Sequence, residues 1–175
     1  MEPLMNDKPS VIRETNEDAR IQARDLMHKA AHAALAVIDP ETGFPSVSRV
    51  LVATDADGAP VILVSGLSSH TKALMKDSRA SALFGDPGKG DPLAHPRLTL
   101  RCNAERIDRQ SQAHDRIRTL FLDRHPKSKL YIDFPDFCFF RLVPLDASLN
   151  GGFGRAYILS SADLTALRTD NKTQR

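Results

Sequence analysis

Between Ser65 and Lys72 the chain reads SGLSSHTK, placing four hydroxyls, a histidine and a lysine where an apolar strand gives way to a helix. Chemistry is possible there because the first amides of a helix lack intrahelical partners and carry the positive end of its dipole. Ser68 or Ser69 can cap one amide, which leaves the other hydroxyls and the Thr71 side chain to donate outward. Lys72 opposes the dipole in the first turn, a conflict that an anion bound at that end would remove. A solvated, unusually polar helix start is the plain alternative.

Arg49 is the second such residue. In SVSRVLVAT, alternation puts Val47, Arg49 and Leu51 on one strand face and Ser48, Val50 and Val52 on the other. A guanidinium among aliphatics matches phosphate oxygens through its planar fork. It could equally pair with Asp39 or Asp55, or reach solvent from a barrel mouth.

Other candidates carry less. His28 and His32 are four apart on an expected helix, a spacing that could hold a metal or a haem, although no third ligand follows and surface or interface histidines are common. GDPGKGDP, residues 85–92, lacks phosphate-loop spacing and reads as a loop lip over a pocket. Cys102 falls on an apolar strand face and reads as core. GGFGRA, residues 151–156, would let two backbones approach closely at an interface or a ligand, or form a bulge.

The chain that must position these residues has 175 residues, 41% hydrophobic and 26% charged, with no tryptophan. That is enough for one aliphatic core. A net charge of +2 with interspersed signs gives no nucleic-acid footprint. Two cysteines without metal-ligand spacing exclude a disulfide scaffold, and no apolar run is long enough for a membrane span. A cytoplasmic setting is therefore expected.

Residues 1–13 read as a flexible arm and 14–175 as one domain. A helix is expected from a Thr15-x-x-Asp18 cap to about residue 32. Three antiparallel strands follow at 34–39, 45–55 and 60–65, joined by turn-forming PETGF and ADGA. After a helix of about ten residues, strands are expected at 80–86 and 97–108, a helix at 109–125, two final strands and a short helix capped by Ser160. The fold class is α+β: six or seven antiparallel strands with peripheral helices, closed into a small barrel that hides its edges.

The order of these motifs resembles a known family. SVSRVLVATDADGAPVILVSGLSSHTKAL followed by HPRLTLRCNAERI is similar to the pyridoxamine 5'-phosphate oxidase-like FMN-binding split barrels. HTKALMKDSRASALF, GDPLAHPRLTL, FPDFCFFRL and GGFGRA resemble the haem-utilisation (HugZ-type) branch. The likeness runs from about residue 20 to 160. It implies a split-barrel homodimer with two cofactor sites at the subunit interface and a small-molecule oxidoreductase chemistry. By position, Arg49, Val50, Leu51 and Val52 would lie along FMN with Arg49 near its phosphate. Ser65 would sit beside the flavin, Ser69, His70, Thr71 and Lys72 would hold the phosphate, and Arg97 would reach the ring.

The sequence departs from the oxidases at Ala53-Thr54, where they carry a lysine, and no Arg-x-His element follows Tyr157. No histidine follows His125, whereas the haem-utilisation branch draws its ligand from a further C-terminal domain. Two alternatives therefore stand beside the flavoprotein: a haem-binding protein using His28, His32, His70 or His95, and a cofactor-free regulatory dimer in which a carboxylate satisfies Arg49.

Overall fold

A computed structural model describes residues 12–165. The arm expected at 1–13 lies outside them except for Ile12–Arg13 (β1), which pairs in parallel with a strand near the other end, so ordered chain begins before residue 14. The remaining elements are α1 (Glu17–Lys29), β2 (His32–Ile38), β3 (Pro45–Thr54), β4 (Pro60–Ser65), α2 (Ser69–Lys76), β5 (Arg79–Phe84), β6 (Arg97–Arg106), α3 (Gln112–Arg124), β7 (Phe137–Asn150), β8 (Ala156–Ser160) and α4 (Ser161–Leu164).

Six antiparallel strands close into a barrel in the order β7-β4-β3-β2-β5-β6, with β6 returning to β7. Closure depends on the length of β7. Residues 137–141 pair with β4, while residues 140–150 pair with β6, across a register shift at Arg101/Cys102. The free side of its second half carries β8. The α+β split barrel expected from the sequence is the fold observed.

Inside, β2 contributes Ala33, Leu35 and Val37, β3 Val50 and Val52, and β6 Leu98, Leu100 and Cys102. Strand β4 is buried on both faces. Ile62 and Val64 join the barrel core, whereas Val61 and Leu63 pack under Ile117 and Phe121 of α3. Hence PVILV reads as an unbroken apolar run rather than an alternating one. The outer face of β2, β3 and β5 has no such cover, leaving Val47 66% and Leu83 43% exposed.

Two details differ from the sequence expectation, both at α1. Asn16, not Thr15, caps the helix by accepting from the Ala19 amide at 2.9 Å. The Thr15 hydroxyl instead donates to the Ile158 carbonyl at 2.7 Å. The helix ends at Lys29, and His32 opens β2. The alanine-rich AAHAALAV can serve either element, but as a strand it gains ladders to both β3 and β5 and buries every second side chain. His28 and His32 therefore do not share a helix.

α1 buries Ala19, Ala23 and Met27 and is tied to α4, where Arg20 Nε donates to Asp163 at 2.6 Å and Arg24 Nε to its carbonyl at 2.8 Å. The Arg20 guanidinium, with help from Ser160, draws the Asp163 carboxyl down to about 2. No helix among the described residues is long and apolar enough to cross a membrane.

Leu100 is fully buried and its neighbour Thr99 faces out. Leu100→Ala should destabilise the protein by about 2–5 kcal/mol in urea unfolding, while Thr99→Ala should stay within about 0.5 kcal/mol. Equal costs would contradict the assigned faces.

Candidate functional site

Ser68 is the N-cap of α2, yet its side chain makes no capping bond. Its Oγ donates to the Ser65 carbonyl at 2.7 Å, and Thr71 Oγ1 lies 2.7 Å and His70 Nε2 2.9 Å away. With the Ser68 proton spent on Ser65, both Thr71 and Nε2 must donate to it. That fixes the His70 tautomer, and Nδ1 accepts from Ser48 of β3 at 3.2 Å. Ser65 Oγ donates to Asp136 at 2.6 Å and accepts from the Leu67 amide at 3.2 Å.

The hydroxyl cluster is thus largely consumed inside the protein. Thr71, expected to donate outward, is buried at 3% exposure and bonded to Ser68. The reason is local: the β4–α2 turn must satisfy its own carbonyl and anchor α2 to β3. Ser69 and Lys72 stay exposed. Lys72 and Thr71 line a cavity of about 430 Å³ with Lys76, Arg106, Asp136 and Cys138.

Arg49 lies elsewhere. It is on the uncovered outer face with Val47 and Leu51, while Val50 and Val52 point into the core. Neither suggested carboxylate is its partner. Asp39 accepts from the Glu41 amide at 2.8 Å and the Thr42 amide at 3.2 Å, and Asp55 lies 3.3 Å from Arg141 Nε. The Arg49 side chain makes no ion pair or hydrogen bond among the described residues. Arg97 donates to the Leu93 carbonyl at 3.2 Å. The ladder runs Arg49–Ala34–Leu83–Thr99, which puts the Arg97 strand three spacings away, roughly 14 Å. The structure therefore unites Ser65, His70 and Thr71, sets Lys72 beside them, and holds Arg49 and Arg97 apart on an outer surface.

Sequence reading missed Ser48, Asp136 and Arg106. The alternation in SVSRV contained a signal for Ser48, since it faces away from Arg49. Nothing local marks Asp136, which reaches Ser65 only through the β4–β7 register that pairs Ser65 with Phe137. Burial pushes the Cys102 thiol up to about 12, in keeping with a core role. Cys138 is also raised, by burial, against the pull of Arg106.

A second cavity, of about 580 Å³, opens between α1 and the barrel end. Leu26 and Lys29 come from α1, His32 from β2, Pro96 from the chain entering β6, and Arg155 and Tyr157 from around β8. His32 Nε2 is 3.8 Å from the Asp86 carboxylate. His28 instead faces a cavity of about 460 Å³ with Thr54 and Leu120. His95 Nε2 lies 3.0 Å from the Lys89 carbonyl, and its ring packs over Gly88 in the GDPGKGDP loop.

With this geometry in place, the sequence profile of the family described as CREG, beta-barrel matches residues 14–165. The chain belongs to that family. It is 37% identical over 117 residues to the chloroplastic heme oxygenase HOZ of Arabidopsis thaliana, covering 66% of this chain and 35% of that protein. The chain thus spans about a third of the length of the curated relative it matches. A haem-binding protein from Mycobacterium smegmatis is 31% identical with a TM-score of 0.77, over 89% of this chain and 62% of that one. A pyridoxinephosphate oxidase family protein from Clostridium acetobutylicum, 15% identical with a TM-score of 0.64 over 83% of this chain and 96% of that one, shares the fold. The split-barrel and haem-utilisation resemblance read from the motifs agrees with these relatives.

Burial lowers the His70 pKa from its ordinary 6.5. The unfolded chain then binds this proton more readily, so stability is full above the ordinary value and is lost as pH falls below it. Thermal unfolding from pH 8 to 5 should show that loss, reduced in His70→Gln. An unchanged pH profile in the variant would show that His70 is not its source.

Proposed function

We propose that the protein is a haem-binding split barrel acting in haem handling. The observation that carries the reading is the pair of sequence relatives whose names specify haem, at 37% and 31% identity. The site geometry supports it. Two of the hydroxyls that an FMN phosphate would recruit, Ser65 and Thr71, are spent on Asp136 and Ser68, and both ring nitrogens of His70 are engaged by Ser68 and Ser48. Bound haem would supply iron redox and oxygen chemistry, and the chain would supply orientation, charge and exclusion of water.

The second reading is an FMN-dependent oxidoreductase, and Arg49 favours it. A guanidinium without a carboxylate on an uncovered strand face suits a phosphate, and it weighs against the cofactor-free regulatory dimer. Both readings gain from a homodimer through the outer face of β2, β3 and β5. Val47, Leu51 and Leu83 lie exposed around Arg49 there, and a second copy would cover them and could bring its Arg97 near Arg49.

Haemin and FMN added separately to the purified protein distinguish the readings. Haemin should give a sharpened, shifted Soret band that Arg49→Ala leaves intact, and the FMN bands should stay those of free flavin. Perturbed FMN bands lost in Arg49→Ala, with no haemin uptake, would replace this proposal with the flavin reading.

A further inference from the structure

We propose that the cleft between α2, the end of β6 and the start of β7 binds a small organic phosphate, held by Lys72 and Lys76 on one side and by Arg106 and Arg109 on the other. The inference does not rest on the haem reading and adds a second ligand site to the barrel.

Two cavities adjoin there and share Arg106, Pro135 and Cys138 in their walls. One, of about 430 Å³, adds Lys72, Met75 and Lys76 of α2. The other, of about 380 Å³, adds Arg109, His114 and Phe137. No residue of β3 lines either cavity, so the cleft is separate from the sheet face that carries Arg49.

Its cations differ from most others in the chain. Arg20, Arg79, Arg101, Arg118 and Arg141 each pair with an aspartate. Lys72, Lys76, Arg106 and Arg109 make no ion pair among the described residues. Arg106 lies against the Cys138 thiol, a weak partner that leaves most of its five donors free. Arg109 is fixed by the Phe134 carbonyl at 3.0 Å and the Asp133 carbonyl at 2.6 Å, while the Asp133 carboxylate is taken by Arg118 at 2.6 Å. Asp136 and Asp108 also line the cleft, and both are engaged. Asp136 accepts from Ser65 Oγ at 2.6 Å, and Asp108 accepts from the Gln110 amide at 3.0 Å. Like charges gathered around a concave surface focus a potential that draws in an anion.

Two further features fit. His114 is 8% exposed, its Nδ1 is buried without a hydrogen-bond partner, and the Asp115 carboxylate stands 3.7 Å off. Such orphans are rare in native structures. Lys72 opposes the α2 dipole, a conflict that an anion in the cleft offsets. A phosphate suits the set better than a carboxylate does, since it carries roughly two negative charges and three acceptor oxygens for a guanidinium fork and two ammonium groups to share. Met75, Pro135 and Phe137 give apolar wall to its organic part.

Isothermal titration with pyrophosphate as probe, at fixed ionic strength, tests the site in the wild type, Arg106→Gln, Lys76→Ala and Arg49→Ala, with circular dichroism to check the fold. The wild type and Arg49→Ala should bind with the same affinity. Arg106→Gln should weaken binding by about tenfold or more, Lys76→Ala should weaken it less, and citrate should bind the wild type more weakly than pyrophosphate. The proposal is overturned if the wild type binds no pyrophosphate, if Arg106→Gln and Lys76→Ala bind it as the wild type does, or if citrate binds as tightly. A loss confined to Arg49→Ala would also overturn it, by moving the anion to the sheet face. Haemin uptake is read in a separate titration, so either proposal can fail alone.

Discussion

Everything in this molecule depends on β7 pairing with three strands, β4 and then β8 along one edge and β6 along the other. Its first residues hold β4, its whole second half holds β6, and β8 fills the edge that β4 leaves free. A closed sheet has no room for helices within it, so they attach where the barrel still has apolar surface. α3 covers the outside of β4, and α1 and α2 meet opposite ends of β3, near Thr54 and Ser48 respectively. Ligand-sized space is left between a plugging helix and the barrel rim, where side chains from distant parts of the sequence converge.

Strand β4 was legible to the residue because two-sided burial makes an apolar run between turn signals. The hairpins around it were equally legible from Gly43 and Gly58, both at positive φ. The start of β2 was not, since AAHAALAV satisfies helix and strand patterns alike and only the ladders to β3 and β5 decide it. That ambiguity concealed the place of His32, which looked like the partner of His28 and belongs to a different element. Asp136 was invisible for another reason, because its bond to Ser65 arises from the β4–β7 register.

The two sites illustrate how one residue vocabulary serves two ends. Ser65, Ser68, His70 and Thr71 have the composition of an anion cradle, yet their hydrogen bonds run inward, fastening α2 to β3 through His70 and Ser48 and the end of β4 to Asp136. Lys72 beside the turn, Arg49 on the uncovered sheet face and Arg155 at the α1 cavity are among the charges left without an ion pair in the described residues. A buried polar group is costly unless paired, so a network that satisfies itself needs no ligand. Groups left unpaired at a cavity are the better guide to where one binds.

The most direct measurement is an iron-edge anomalous difference map from crystals of the protein grown with haemin. The account predicts an iron peak bound to the barrel domain. Crystals without ordered iron, together with ordered flavin density beside Arg49 in crystals grown with FMN, would contradict it.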